Sequence, residues 1–312
     1  MKAFAFVFPG QGAQSVGMLD AWGDHPAVRE VLAESAQALG EDIGRLIREG
    51  PGQALELTTN TQPVMLAAAI ACYRAWRAEG GAEPAALAGH SLGEYTALVA
   101  AGALTLSDAL PLVRFRAQAM QQAVPVGAGA MAAILGLEPA AVVQGCAQAA
   151  ADTGAVVSAA NFNDPKQTVI SGAKAAVDKA CEILKSMGAK RALPLAVSAP
   201  FHCALMRPAA DALRERLAWV SITAPRIPVI NNIDVAAANE PTAIRDALVR
   251  QAYGPVRWVE VVQALRARGL THVLECGPGK VLTGMVKRID SEAVTASVFD
   301  PASLRDAMGV LG

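Results

Sequence analysis

The sequence predicts an α/β fold in which a parallel-rich sheet is flanked by helices and carries an inserted ferredoxin-like subdomain. Short apolar runs that end at glycine or proline alternate with longer helical stretches, as in parallel strands joined by helices. The order strand, helix, strand, strand, helix, strand between about residues 127 and 197 is that of a ferredoxin-like unit. A hydrophobic content of 53% in 312 residues supplies a large core.

The first part of the chain supplies two predicted strands and three predicted helices. Aromatic and β-branched residues at 4–8 stop at Pro9-Gly10, which is typical of a buried strand that enters a sharp loop. Residues 62–78 are rich in Ala, Leu and Met, and they predict a helix with Pro63 in its first turn. The elements that follow are a strand at 85–88 and helices at 94–101 and 107–122.

The middle of the chain has the ferredoxin-like order. Its predicted elements are a strand at 130–137, a helix at 139–151, strands at 155–160 and 167–171, a helix at 174–187 and a strand at 191–197. We therefore expect residues 127–197 to form the small subdomain, and residues 1–126 and 198–312 to form the core. The later core elements are strands at 229–233 and 271–276, with helices at 241–251 and 259–268 between them.

Composition and charge exclude several classes of function. The 27 Lys+Arg and 28 Asp+Glu leave a formal net charge of −1, so no overall field attracts a polyanion and nucleic acid is not an expected partner. The apolar stretches are shorter than the roughly 20 residues that cross a bilayer, and no secretory signal is evident. The five cysteines contain no CxxC pair and match no zinc-site spacing. We therefore expect a cytoplasmic protein that binds neither membrane nor nucleic acid.

The strongest local signal is Gly89-His90-Ser91-Leu92-Gly93, a GxSxG pattern between a predicted strand and a predicted helix. This is the setting of a nucleophile elbow, in which a tight, strained turn projects the serine hydroxyl from the edge of a sheet. Small residues two positions on either side of the serine prevent clashes within the turn. The pattern predicts Ser91 as a nucleophile in a hydrolase-like core; an ordinary glycine turn is the alternative.

A serine hydroxyl needs a neighbouring base to act as a nucleophile near neutral pH. The chain has four histidines. His25 lies in a polar surface stretch, His90 adjoins the serine where neighbouring side chains diverge, and His272 opens a strand. His202 lies in an irregular segment after the small subdomain, where a loop can return to the active edge of the main sheet. We therefore predict His202 as the base.

Five motifs, taken in order, resemble those of malonyl-CoA:acyl carrier protein transacylases. They are GQGAQ at 10–14, GHSLGEY at 89–95, Arg116 before Met120-Gln121, Pro200-Phe201-His202, and ECGPG at 275–279. The resemblance extends from Phe8 to about Arg288, which is nearly the whole chain. The first motif matches neither glycine pattern of nucleotide-binding loops, and a plain tight turn is its alternative reading.

The resemblance implies roles for six residues. It implies Ser91 as the acyl-bearing nucleophile, His202 as its base, the backbone N–H groups of Gln11 and Leu92 as the oxyanion hole, Arg116 as the group that binds the malonyl carboxylate, and the backbone carbonyl of Gln251 against the His202 ring. A guanidinium presents two parallel N–H groups that match a carboxylate, whereas an acetyl group offers them nothing. Arg114, in the same predicted helix, is expected on a solvated face.

Two points stay open in the sequence. The chain order also allows a carboxylate as a third catalytic member, because Asp108, Asp152 and Asp164 lie between the predicted nucleophile and base. Asn161 is either a cleft-lining residue or, as is commoner for asparagine, a turn former.

The resemblance implies ping-pong acyl transfer, in which malonyl passes from coenzyme A to the serine and then to the phosphopantetheine thiol of acyl carrier protein. Neither a metal nor a redox cofactor is implied. The expected partners are malonyl-CoA and acyl carrier protein, and the expected pathway is fatty-acid synthesis. The alternatives are a serine esterase or thioesterase, and a non-catalytic subunit that binds carrier protein. Because carrier proteins of this pathway are acidic, Lys280, Lys287 and Arg288 are predicted as a basic docking rim.

Overall fold

The computed structural model describes residues 2–312, all of the chain except Met1. The strands in this part of the chain are β1 (Phe4–Phe8), β2 (Ala86–Gly89), β3 (Gly129–Leu135), β4 (Val157–Asp164), β5 (Gln167–Ala173), β6 (Arg191–Pro194), β7 (Val229–Ile230), β8 (His272–Cys276) and β9 (Val294–Val298). The helices are α1 (Pro26–Leu39), α2 (Ile43–Glu49), α3 (Gly52–Glu56), α4 (Thr58–Ala78), α5 (Gly93–Ala100), α6 (Leu106–Gln122), α7 (Pro139–Thr153), α8 (Lys174–Ser186), α9 (Arg207–Leu217), α10 (Pro241–Tyr253), α11 (Trp258–Ala267), α12 (Val281–Ile289) and α13 (Pro301–Leu311). None of these described helices is long and apolar enough to cross a bilayer.

Five strands form a parallel sheet in the order β7-β2-β1-β8-β9. Every residue of the central strand β1 is buried. Its phenylalanines pack into one apolar cluster on one face, while Ala5 and Val7 pack into a second cluster on the other face. A strand that is covered on both sides carries a continuous apolar run, which explains the sequence FAFVF. The predicted α/β class, a parallel sheet flanked by helices, is confirmed.

A second, antiparallel sheet has the order β4-β5-β3-β6. Helices α7 and α8 pack against each other and against this sheet. The chain order of these six elements is the predicted ferredoxin-like one. The last strand ends at Pro194, whereas the sequence predicted that it continues to residue 197; Leu195 and Val197 instead line the cavity of the site.

Helix α4 begins at Thr58, four residues before its predicted start, and Pro63 lies inside it. A proline at this position cannot donate the hydrogen bond to the preceding turn, which usually favours a helix end. Most side chains of the helix are buried, so tertiary packing offsets the missing bond. The extension places Thr58 on the buried face of the helix, next to the site.

Seven elements were not predicted from the sequence, namely β9 and helices α1, α2, α3, α9, α12 and α13. Strand β9 reads VTASV, lies at the edge of the main sheet and is only partly buried. Polar residues at an edge strand face solvent without cost, which removes the continuous apolar run that marked β1.

The main sheet brings two functional loops together. Strands β1 and β2 pair in parallel with Phe8 opposite Gly89, so the loops that follow them leave the same edge of the sheet. The small sheet is tied to this edge: the Val256 N–H donates to the Ala160 carbonyl at 2.8 Å, and the Phe162 N–H donates to the Val256 carbonyl at 2.9 Å. A cleft between the two sheets therefore opens at the carboxyl ends of β1 and β2.

Candidate active site

Ser91 stands on a strained turn that only glycine neighbours permit. Its φ is 52°, in the left-handed region that non-glycine residues rarely adopt. A Cβ at Gly89 would lie 1.9 Å from the backbone of Gly93, and a Cβ at Gly93 would lie 2.1 Å from the Phe8 carbonyl oxygen. These contacts explain why both positions of the GxSxG pattern are glycine.

Asn232, just after β7, secures this turn. Its side-chain Oδ1 accepts a hydrogen bond from the Ser91 N–H at 2.7 Å, and its Nδ2 donates to the Gly89 carbonyl at 2.7 Å. The residue is fully buried. Sequence reasoning missed Asn232, because nothing near it in the chain indicates that it lies beside a residue 141 positions away.

The Ser91 hydroxyl lies 2.7 Å from His202 Nε2, and His202 Nδ1 lies 2.9 Å from the Gln251 backbone carbonyl oxygen. A carbonyl only accepts, so Nδ1 must carry the proton and Nε2 is left with the lone pair that faces the serine. The two contacts predicted for His202 are thus present. The carbonyl holds the ring in the tautomer that a general base requires.

The three carboxylates that the sequence left open lie elsewhere. Asp108 accepts from Thr105 at the start of α6, and Asp152 accepts from Gln148 on an exposed helix face. Asp164 accepts from Arg288 Nε at 2.6 Å. None of the three contacts His202, so the serine and histidine form a dyad oriented by a neutral carbonyl.

The backbone N–H groups of Gln11 and Leu92 both belong to residues that line the cavity beside Ser91. Neither N–H has a hydrogen-bond acceptor within residues 2–312. The two loops are in close contact, since a Cβ at Gly10 would lie 2.6 Å from the His90 carbonyl oxygen. Two free donors at the mouth of the elbow are what an oxyanion hole requires.

Arg116 is a buried cation with three side-chain acceptors. It is 2% exposed. Its Nη1 donates to Gln62 Oε1 at 2.8 Å, and its Nη2 donates to Gln251 Oε1 at 3.0 Å and to the Ser91 hydroxyl at 3.1 Å. Its Nε–H is buried without an acceptor in the described chain, and its guanidinium lies 5.4 Å from the centre of the Tyr95 ring. The guanidinium therefore lies next to the Ser91 hydroxyl, and its Nε–H has no acceptor.

Arg114 points away from the site, as predicted, and forms an ion pair with Glu41. Arg114 and Arg116 lie two positions apart in helix α6, so their side chains face different sides of the helix. The spacing indicated that only one of them could reach a pocket, and the resemblance to the transacylases indicated Arg116.

Sequence reasoning also missed Gln62 and Glu94, both of which are 2% exposed. Gln62 holds Arg116, as described above. One Glu94 oxygen accepts from Gln251 Nε2 at 2.9 Å and from the Asn232 N–H at 2.8 Å. Burial raises the pKa of Glu94 to about 7. An amide or carboxyl in a buried helix gives no sequence signal of its contacts, although Glu94 lies within the quoted GHSLGEY motif.

The other histidines are not placed to act on Ser91. His25 is partly buried and contacts Glu79 at 3.2 Å, and His272 is buried at the start of β8. His90 also lines the cavity wall, where its ring packs on Trp258 and its Nε2 contacts Asn163 at 2.9 Å.

A cavity of about 240 Å³ lies between the two sheets, with Ser91, His202 and Arg116 at its polar end. The rest of its wall is mostly apolar, and Met120, Met131, Val169, Leu195, Val197, Phe201 and Met285 contribute to it. Asn161 also lines the cavity, which is the first of the two readings left open by the sequence.

The three cations of the predicted docking rim all have contacts within the chain. Lys280 Nζ lies 4.9 Å from the centre of the Phe299 ring, and Lys287 Nζ donates to the Ala293 carbonyl. Arg288 is paired with Asp164 of the small sheet. A substitution of Arg288 would therefore also break a contact between helix α12 and strand β4 of the small sheet, so it makes a poor probe of docking.

Burial and the positive charge of Arg116 lower the pKa of His202 to about 3. His202 therefore stays neutral, and able to accept the serine proton, far below the usual titration range of histidine. The pH dependence of kcat/KM for acylation reports the pKa values of the free enzyme. We expect protonation of His202 to cause no decrease in kcat/KM between pH 8 and about pH 5.5. The measurement is the rate of coenzyme A release from malonyl-CoA across this range.

Glu94 has a pKa of about 7 and could also titrate in this pH range. The Glu94→Gln variant distinguishes its titration from that of His202. An acidic limb that disappears in Glu94→Gln belongs to Glu94. An acidic limb near pH 6.5 that persists in the variant would contradict the lowered pKa of His202.

A nucleophile elbow in a parallel sheet occurs in serine hydrolases and in acyltransferases. A model of the family described as acyl transferase domain matches residues 5–301 of the chain. This match places the chain in the class of acyltransferases.

Individual relatives narrow the class. The chain is 51% identical over 309 residues to the malonyl CoA-acyl carrier protein transacylase of Escherichia coli (strain K12), covering 99% of each chain. A crystal structure of an acyl-carrier-protein S-malonyltransferase from Burkholderia pseudomallei 1710b is 66% identical, with a TM-score of 0.97 over 99% of this chain and 100% of that one. A malonyl-transacylase solved in complex with a type II PKS acyl-carrier protein is 48% identical, with a TM-score of 0.96 over 99% of both chains. The chain belongs to the malonyl-CoA:acyl carrier protein transacylase family.

Proposed function

We propose that this protein transfers malonyl from malonyl-CoA to the phosphopantetheine thiol of acyl carrier protein through a malonyl ester on Ser91, for fatty-acid synthesis. The contact of 3.1 Å between Arg116 and the Ser91 hydroxyl carries the proposal, because a guanidinium beside the serine is suited to bind the free carboxylate of a malonyl group. The malonyl transacylase relatives support the same substrate and the same carrier protein.

In the first half-reaction His202 Nε2 takes the proton of the Ser91 hydroxyl, whose oxygen attacks the thioester carbonyl. The N–H groups of Gln11 and Leu92 donate to the oxyanion that forms. The carbon–sulfur bond then breaks, and His202 returns the proton to the coenzyme A thiolate. The product is an ester between malonyl and the serine.

The second half-reaction repeats these steps with the phosphopantetheine thiol as nucleophile. His202 takes the thiol proton, the sulfur attacks the ester carbonyl, and the carbon–oxygen bond to Ser91 breaks. The serine oxygen recovers the proton from His202. The two halves are chemically symmetrical, so one set of residues serves both.

The same proposal includes the domain division and the location of the protein. Residues 1–126 and 198–312 form the core that carries the dyad, and residues 127–197 form the small subdomain that closes the cleft. A reducing cytoplasm is supported by the five cysteines, all of which are free thiols.

We expect Arg116→Ala to lower malonyl transfer by at least about tenfold, equivalent to about 1.4 kcal/mol, because the carboxylate loses its partner. Acetyl transfer should hold steady or rise, since a neutral acyl group no longer leaves a buried guanidinium unpaired. The measurement is kcat/KM for both acyl-CoA substrates on one preparation. Arg114→Ala is the matched control, because that side chain belongs to the same helix and points away. An equal loss of malonyl and acetyl transfer would make Arg116 a structural residue.

Coenzyme A release with and without acyl carrier protein tests the proposed function against its two alternatives. A transacylase releases one equivalent of coenzyme A without an acceptor and turns over when carrier protein is added. Continuous release without carrier protein would indicate an esterase or thioesterase. The absence of any release would indicate a non-catalytic subunit.

A further inference from the structure

A chain of hydrogen bonds, buried except at its last member Gln11, connects the predicted carboxylate-binding arginine to the predicted oxyanion loop. Arg116 Nη1 donates to Gln62 Oε1 at 2.8 Å, Gln62 Nε2 donates to the Thr58 hydroxyl at 3.2 Å, and that hydroxyl donates to Gln11 Oε1 at 2.9 Å. The exposed fractions of Arg116, Gln62 and Thr58 are 2%, 2% and 1%. These three residues are therefore shielded from water, which could otherwise replace the bonds among them.

The donors in this chain can point in only one direction. A guanidinium only donates, so the Gln62 amide must present its oxygen to Arg116 and its N–H₂ to Thr58. Because the Thr58 oxygen accepts from that amide, its own proton is directed to Gln11. One orientation of the Gln62 amide thus allows every hydrogen bond in the chain to form. Successive hydrogen bonds in an environment of low dielectric polarise one another.

We propose that Thr58 is a positioning residue for malonyl selectivity, because its hydroxyl holds the Gln62 amide in the one orientation that supports Arg116 and links Arg116 to the loop of Gln11. This inference rests on the proposed function, since Arg116 is taken to bind the malonyl carboxylate. Thr58 itself touches neither the nucleophile nor the base in the structure.

Loss of the hydroxyl has a predictable consequence. Without it the buried Gln62 Nε2–H₂ has no acceptor, which is costly in a dry site, so the Gln62 side chain is expected to leave the position in which its oxygen accepts from Arg116. Arg116 then loses its fixed orientation beside Ser91. Malonyl needs a well-placed arginine whereas acetyl does not, so the loss falls on malonyl transfer.

The chain offers a closely matched control, Thr61. It lies on the same helix three residues later, is fully buried, and its hydroxyl donates only to the backbone carbonyls of Leu55 and Leu57. Thr61→Val and Thr58→Val therefore remove the same group from equally buried positions. Only Thr58→Val breaks the connection to Arg116.

The experiment measures kcat/KM for malonyl-CoA and acetyl-CoA, together with the melting temperature, in each variant. We expect Thr58→Val to lower malonyl transfer at least about tenfold, equivalent to about 1.4 kcal/mol, and acetyl transfer by less than about threefold. Thr58→Ser keeps the hydroxyl and should restore the wild-type ratio of malonyl to acetyl transfer. Thr61→Val should leave that ratio at the wild-type value.

A second comparison uses Arg116→Ala as background. If Thr58 acts through Arg116, adding Thr58→Val to that variant leaves the ratio of malonyl to acetyl transfer unchanged. Gln62→Met, which removes the intermediate amide at similar volume, should lower malonyl transfer selectively as Thr58→Val does. It keeps the inference testable should Thr58→Val fail to fold.

Three results would overturn the inference: an equal loss of malonyl and acetyl transfer in Thr58→Val, the same change of ratio in Thr61→Val, or an unchanged ratio in a folded Gln62→Met. Failure of the proposed function has a different signature. Wild-type protein that forms no malonyl adduct would reject the proposed function, and the inference with it.

Discussion

Ser91→Ala is expected to abolish the malonyl adduct that intact-mass measurement detects after wild-type protein is mixed with malonyl-CoA. Alanine leaves no atom that can form the ester. The fold should persist, because the Ser91 N–H still donates to Asn232 and the flanking glycines keep the turn. The variant should therefore show no adduct and a melting temperature close to that of the wild type.

Ser35→Ala is the control for this variant. Ser35 is a buried serine in helix α1, and its hydroxyl donates to the Val31 carbonyl within the same helix. It should keep the full adduct. An adduct of malonyl mass on the Ser91→Ala protein would place the nucleophile elsewhere.

His202→Ala carries the second large effect. We expect it to slow acylation by about 10²–10⁴-fold, which is the usual contribution of a positioned base. The Nε2 atom lies 2.7 Å from the Ser91 hydroxyl and is the acceptor for its proton, and no carboxylate contacts that hydroxyl. Rapid-mixing measurement of coenzyme A release gives the acylation rate directly.

His25, which is partly buried and contacts Glu79 outside the cavity, provides the control for the base. His25→Ala should acylate at the wild-type rate. A loss below about tenfold in His202→Ala would mean that another group accepts the proton. His90, whose ring lies in the cavity wall, would then be the next residue to substitute.

Local sequence predicted the elements that carry the site. The run FAFVF before Pro9-Gly10 predicted β1 with its observed bounds, and the glycines around Ser91 predicted the turn at the end of β2. These are short-range effects: burial on both faces selects a continuous apolar strand, and a left-handed serine requires glycine where a Cβ would clash.

Local sequence patterns could not predict contacts between residues that are far apart in the chain. The resemblance to the transacylases, and not any spacing, suggested that the Gln251 carbonyl meets His202, and the structure places the two atoms 2.9 Å apart. The same contact answered the question of a third carboxylate, which the order of aspartates in the chain had left open. A hydrogen bond between residues 49 positions apart depends on how helix α10 packs beside the loop of His202.

The sequence by itself determined the α/β class, the inserted ferredoxin-like unit and the strained serine, because each follows from interactions between near neighbours. The choice of Arg116 over Arg114 came from the resemblance to the transacylases. Only the tertiary structure decided which polar groups surround them. Gln62, Glu94 and Asn232 lie in ordinary helical or loop sequence, and they became part of the site because packing buries them together. A buried polar group must find a partner there, and the fold alone determines which partner is within reach.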